Sequence, residues 1–399
     1  MFVSKASAFA ASPIREEDGL ATKLARSGKK LIKLNTGDPA KYFKTPEYII
    51  NAYIEALKNN YTFYSDSQGL EKLREQIALR HNKMYNLSVS SENVLITQGV
   101  SEALYFINTA LIDRGDKALL FNPYYPSYLS YLQVAGGTVV LVGYKEEKSW
   151  SIDIDTLDKA ARLKKVKYML VTNPNNPTGS ILSRKDLEGI VDVANNHDIF
   201  LISDEIYDEL VFQEGFVSMS QVAKGIPHMI LNGASKNFDS TGLRLGYALL
   251  PENDRKSKEL FNKMLDLARM RLSVNTPAQY AYTEGLRNVK EHKKAITSLR
   301  ESIKDRVLFA YAEINRSEYM HAQEPHGAFY VFPKLNMEKL SVKNDKEFVS
   351  RLLIEKYVQI TRGSGFGSPN HIRIVALAEK EILKDAIAKI EAFCKEHSK

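Results

Sequence analysis

A chain of 399 residues and 45.1 kDa has room for two domains of roughly 100–200 residues each, and its composition, 44% hydrophobic and 26% charged without repeats or low-complexity tracts, is that of an ordinary globular protein. No run approaches the ~18 uninterrupted apolar residues of a membrane span, and the single cysteine, Cys394, excludes an intrachain disulfide and fits a reducing compartment, so a cytoplasmic protein is expected. The net charge of +7 does not by itself mean nucleic acid: lysines and arginines alternate with acids in stretches such as KEHKKAITSLRESIKDR (290–306), the pattern of a solvated helix face, and a basic balance also suits an enzyme with anionic ligands.

The N-terminus, MFVSKASAFAASPIREEDG, lacks the basic-then-apolar layout of a secretory signal. Its acid-free Ser/Ala-rich start is compatible with a transit peptide, and the reading taken is a mobile N-terminal arm. From about Val94 short apolar runs alternate with amphipathic stretches: VLIT (94–97), ALLF (118–121), TVVLV (138–142), YMLVT (168–172), IFLIS (199–203), MILN (229–232) and GYALL (246–250). Near-continuous apolar runs indicate strands covered on both faces, hence a mostly parallel seven-stranded α/β sheet. After Asn288 a long charged helix, AFYVF (328–332), a helix near 345–356, HIRIVAL (371–377) and a closing helix suggest a smaller α+β domain. The expected division is a large domain over 46–287 and a small one built from 1–45 and 288–399.

In open parallel sheets ligands bind outside the carboxyl ends of the strands, and the notable residues follow those ends. TQGVSEAL (97–104) joins a strand to a helix, so the backbone N–H groups of Val100, Ser101 and Glu102 are placed to bind a phosphate, although Ser101 and Glu102 also make an ordinary helix start. FNPYYPSY (121–128) supplies Tyr125, a flat face for stacking or simply a packed aromatic. NPNNPTG (173–179) forces a turn and carries Asn176, an amide donor at the sheet edge. In SDEIYD, Asp204 ends a buried strand and requires either a positive partner or a helix to cap. Tyr207, three residues on, is either a hydroxyl donor or a core aromatic. GASKNFDSTGLRLG (233–246) sets Lys236 among small residues with Arg244 eight positions later.

A desolvated lysine sheds its proton and attacks an aldehyde, and an arginine fork grips a phosphate. Pyridoxal 5′-phosphate (PLP) needs both, and Asp204 would keep its pyridine nitrogen protonated. Arg373 alternates with Ile372 and Ile374 and needs a carboxylate partner, structural or from a substrate. TRGSGFG (361–367) does not read G-x-G-x-x-G and no βαβ unit follows it, which argues against a nicotinamide site.

These motifs, with LNTGDPA (34–40), YSDSQGLEKLR (64–74) and ARMRLSVNTPAQ (268–279), resemble in order the class I/II aminotransferases of PLP fold type I, and within them the archaeal alanine-aminotransferase-like branch. The resemblance implies a transaminase with alanine or aspartate as favoured donor and 2-oxoglutarate as acceptor, working by a ping-pong mechanism. It implies that Lys236 carries PLP, Asp204 meets the ring nitrogen, and Asn176 and Tyr207 meet the ring oxygen. Arg244, Ser235 and the 100–102 backbone would hold the phosphate, with Tyr125 stacked on the ring. Arg373, with Asn176 and the Gly37 backbone, would take the substrate carboxylate. Tyr64 would reach the phosphate of a neighbouring subunit, making a homodimer. Asp239, Ser240 and Gly233 depart from the usual pattern; Asp239 would put an acid near the phosphate, and Gly233 replaces a serine. Arg269 and Arg271 are expected in interface ion pairs. An aromatic aminotransferase, a C–S lyase or a PLP-binding regulatory module are the other readings.

Overall fold

A computed structural model describes Phe9, residues 12–213 and residues 215–399. The remainder of the expected N-terminal arm lies outside the described residues. The central sheet has eight strands in the order Val94–Thr97, Gly246–Leu249, His228–Gly233, Phe200–Asp204, Val166–Thr172, Lys117–Asn122, Thr138–Lys145 and Ser151–Ile152. The middle strands run parallel; Gly246–Leu249 and the edge strand Ser151–Ile152 are antiparallel to their neighbours. That edge strand is the one absent from the seven expected, and two residues carry too little periodicity to be read from sequence.

The apolar runs work as sheet strands because alternate side chains face opposite layers. Leu119 and Phe121 enter one hydrophobic cluster with Met169, Val171, Leu201 and Ile230, while Ala118 and Leu120 enter the other with Tyr168, Leu170, Ile202 and Met229. Helices close both layers. Arg184–Asn196 is typical: Ser183 caps it, accepting from Asp186 N–H while the Asp186 carboxylate accepts from Ser183 N–H, and Leu187, Ile190, Val191 and Ala194 bury one face. Burying such side chains stabilises the layer by about 1.5–3 kcal/mol each.

A third cluster is built from Val289–Ile314, Asp345–Lys356, Lys380–Glu396 and the three-stranded sheet Tyr330–Val331, Ile372–Val375, Thr361–Arg362. The N-terminal part joins it through Ile32–Lys33, which pairs parallel with Val358–Gln359. Parallel pairing aligns the carboxyl ends of the central strands: Thr172 lies beside Asp204, and Asp204 beside Leu231. Gly233 and Thr97 both face Gly246 across the antiparallel strand. These ends and the third cluster together enclose one crevice.

Candidate active site

The crevice is a cavity of about 560 Å³, within the range of small-ligand sites. Lys236, Asp204, Tyr207, Asn176, Arg244, Ser235, Val100, Ser101, Tyr125, Arg373 and Gly37 all line it. Glu102 and Tyr64 do not. The helix starts at Gly99, one residue before the expected phosphate-binding amides, and Val100 and Ser101 of its first turn line the cavity. Glu102 turns away, its carboxylate accepting from Gln98 N–H at 2.9 Å and lying 3.5 Å from Arg271 Nε. Tyr64 is 79% exposed beside exposed Phe63.

Lys236 sits in the short helix Ala234–Asn237 that follows the strand His228–Gly233. Its Nζ donates to Gly37 O at 2.8 Å. Burial lowers its pKa to about 8; Asp38 opposes the shift, and Arg244 and Arg373 reinforce it. A lysine so placed is partly neutral near physiological pH and available as a nucleophile or base. Asp204 is buried at its strand end. Tyr128 Oη donates to its Oδ2 at 2.7 Å and Ile206 N–H to its Oδ1 at 3.2 Å, and burial raises its pKa to about 6. A turn, not a helix, follows it, so capping does not explain Asp204. Among the described residues it has no basic ion-pair partner, as suits a carboxylate awaiting a protonated ring nitrogen.

Arg373 is 1% exposed. Its Nη1 donates to Asn176 Oδ1 at 2.9 Å and its Nη2 to Asn35 O at 2.5 Å; Nε has no hydrogen-bond partner among the described residues. The rings of Tyr330 and Phe366 each lie 4.7 Å from its guanidinium carbon. No acid pairs with it among the described residues, and burial lowers its pKa. A buried guanidinium without an anion is costly, so the site is built to receive one. Phe366 comes from TRGSGFG, whose strand Thr361–Arg362 pairs with Ile372–Val375. That run therefore serves the arginine rather than a dinucleotide.

Arg244 lies at the other end. Its φ of +54° and a bond from Nη1 to Thr241 O at 2.9 Å hold it in place. A Cβ on Gly99 would stand 2.6 Å from Arg244 Nη2, and one on Gly246 2.6 Å from the Gly99 carbonyl carbon. Glycine at both positions lets the guanidinium meet the helix start, an arrangement suited to cradle a phosphate. A Cβ at Gly233 would lie 2.6 Å from Leu245 O, so the serine expected there has no room. Phosphate cradle, buried Asp204, adjacent lysine and the Tyr125 ring make a donor set that fits PLP.

Asp239 does not line this cavity. It is 2% exposed with φ +46°, and its carboxylate has no hydrogen-bond partner among the described residues; it borders a separate cavity of about 290 Å³. Burial, with Asp38 nearby, raises its pKa to about 7. It is therefore not part of the phosphate grip. Ser240 Oγ donates to Ala234 O at 3.0 Å and closes the lysine turn. Arg269 and Arg271 pair within the chain, with Asp266 and Glu102, and neither reaches the cavity.

Sequence reading missed Tyr128, Tyr330, Phe366, Asn35 and the rim residues Ser12, Ile14 and Arg15. Tyr128 stands three residues after Tyr125 in the same aromatic loop, and that spacing was its only signal.

The chain matches the family Aminotransferase class I and II over residues 29–390. It is 31% identical over 383 residues to an aspartate aminotransferase of Bacillus subtilis, covering 95% of each chain. It is also 31% identical to an alanine aminotransferase of Mycobacterium tuberculosis, covering 94% of this chain and 87% of that one. Among solved structures, an alanine aminotransferase from Pyrococcus furiosus superposes with a TM-score of 0.94 at 37% identity, covering 99% of this chain and 100% of the other. An aspartate aminotransferase from Thermus thermophilus with maleate gives 0.91 at 30%, covering 98% and 100%. The crevice and the family agree: the chain belongs to the class I and II aminotransferases and is a PLP-dependent transaminase.

Proposed function

We propose that this enzyme moves the amino group of L-alanine or L-aspartate to a 2-oxo acid such as 2-oxoglutarate, donor and acceptor using the same cavity in turn. The observation that carries the reading is Arg373: buried, unpaired with any acid among the described residues, and lining the same cavity as Lys236. A substrate α-carboxylate supplies the missing anion, with Asn176 and the Gly37 backbone beside it. Arg15, with a side chain 73% exposed at the cavity rim, supports a second carboxylate on the substrate. The names of the relatives support the same two donors.

PLP, when bound, supplies an aldehyde for the incoming amine and a ring that withdraws electrons from Cα. Arg244, Ser235 and the backbone amides of Val100, Ser101 and Glu102 would hold the phosphate. Tyr125 would stack on the ring, and Asn176 and Tyr207 would meet the ring oxygen. Asp204 would keep the ring nitrogen protonated, and Tyr128, donating to Asp204 Oδ2, fixes that carboxylate in place. Lys236 Nζ takes the proton from substrate Cα and later returns it.

The working unit in this reading is a homodimer in which Tyr64 reaches the neighbouring site. Exposed Phe63, Tyr64, Met270 and Leu272 support it, since Thr276 Oγ1 binds Phe63 O at 2.7 Å and joins the two segments. The division into a domain of 46–287 and one of 1–45 with 288–399 belongs to the same proposal. No helix among the described residues is long and apolar enough to cross a membrane, and a cytoplasmic location accords with the one buried cysteine.

A single-turnover absorbance scan of the yellow holoenzyme with L-alanine, L-aspartate, L-glutamate and L-tyrosine tests the reading. Loss of the yellow band with alanine or aspartate, restored by 2-oxoglutarate, is expected. Response to tyrosine alone, or release of ammonia and pyruvate, would replace it with an aromatic aminotransferase or a lyase.

A further inference from the structure

Tyr330 touches three of the groups on which the proposed function rests. It sits in the strand Tyr330–Val331, opposite Val375 of the strand that carries Arg373, and is buried. Its hydroxyl lies 2.8 Å from Tyr207 Oη. Its ring lies 4.7 Å from the Arg373 guanidinium carbon, which Phe366 also contacts at 4.7 Å. A Cβ on Gly37 would come within 2.5 Å of the Tyr330 hydroxyl, so Tyr330 also abuts the backbone whose carbonyl accepts from Lys236.

A hydrogen bond between two phenols has a direction, and either hydroxyl can supply the hydrogen. Tyr207 has one hydrogen, and in the placement proposed above it faces the cofactor's ring oxygen, an acceptor, so the bond between the phenols takes its hydrogen from Tyr330. Tyr330 is therefore the donor of the pair. We infer that Tyr330 is a positioning residue, which donates to Tyr207 and so leaves the Tyr207 hydrogen for the cavity, while its ring fixes the plane of Arg373. One side chain then couples the carboxylate site to the cofactor's ring oxygen. The inference rests on the placement of Tyr207 and Arg373 proposed above.

A Tyr207 hydroxyl that accepts from Tyr330 is the stronger donor, and by stabilising the charge on the cofactor's ring oxygen it would weaken that oxygen's hold on the proton at the Lys236 nitrogen. The other groups facing that nitrogen are Asp38, Arg244, Arg373 and Asp239, and those facing the tyrosine pair are Asp204, Arg373 and Tyr125. All remain in Tyr330→Phe, which keeps the ring and its packing. In PLP-loaded Tyr330→Phe the pH midpoint of the cofactor absorbance transition is expected to rise by about half a unit, roughly threefold in the proton equilibrium. KM for L-alanine should stay within about twofold of wild type. Phe366→Leu, which weakens the ring contact to Arg373 but leaves the tyrosine pair, should raise KM about tenfold without moving the midpoint.

An unmoved midpoint in Tyr330→Phe overturns the inference, and so does a midpoint that moves equally in both variants. The titration needs no substrate. A wild-type enzyme that titrates but converts no amino acid would therefore count against the proposed function while leaving this comparison readable.

Discussion

Two buried arginines divide this molecule. Arg80, on the helix Glu71–Tyr85, donates from Nη2 to Asp208 at 2.7 Å and to Glu209 at 3.0 Å. Tyr85 and Asn237 also bind Asp208, each at 2.6 Å, and His292 meets Glu209 at 3.1 Å. Burial works against the Arg80 charge, but Asp208 and then Glu209 raise its pKa well above the ordinary value; Glu209 in turn falls to about 2, with Arg80 the leading cause against burial. Arg373 is more deeply buried, 1% exposed, and among the described residues meets only a carbonyl, an amide and two rings, and its pKa falls. Arg80 completes a structure, tying Asp208, next to Tyr207, to Asn237, next to Lys236. Arg373 leaves one incomplete. The partner set, more than residue type or burial, separates a strut from a binding site.

Removing the two side chains should therefore have opposite signatures. Arg80→Ala removes the guanidinium shared by buried Asp208 and half-buried Glu209 and is expected to cost about 3–5 kcal/mol in urea unfolding. Arg373→Met is expected to lower kcat/KM for L-alanine by roughly 100–1,000-fold, with the urea midpoint unchanged or raised. Equal destabilisation by both would erase the distinction. A smaller effect concerns Lys236, lowered to about 8. Its neutral form captures PLP, so uptake by the apoenzyme should quicken about tenfold per pH unit and level off above pH 8, followed by absorbance.

The smallest expected effect belongs to Asp239, a buried acid whose carboxylate has no hydrogen-bond partner among the described residues. Its folded pKa of about 7 lies above the unfolded value. Its contribution to stability is present at low pH and is lost as pH rises from about 4 through 7. Asp239→Asn should raise stability at pH 8 and change it little at pH 4, read from melting curves at the two pH values.

The central sheet was legible because its strands are continuous apolar runs, and the crevice because the notable polar residues follow their carboxyl ends. Lys236, Asp204 and Arg373 each break a local rule by placing charge in an apolar setting, and that exception is visible in sequence. Tyr128, Tyr330 and Phe366 break none. An aromatic in a buried strand or loop reads as core, and only the fold shows that these three touch Asp204, Tyr207 and Arg373. Asp239 was misplaced for a local reason: a left-handed backbone turns its side chain away from the cavity. Tyr64 faces outward, where one chain supplies it no site.

The most direct test compares L-alanine with isopropylamine, which keeps the amine and carbon skeleton but replaces the carboxylate with a methyl group, in stopped-flow mixing with the holoenzyme. If a carboxylate completes Arg373, alanine discharges the yellow band and isopropylamine does so at least about 1,000-fold more slowly. Equal rates for the two would contradict the account, because Arg373 would then not be what receives the substrate.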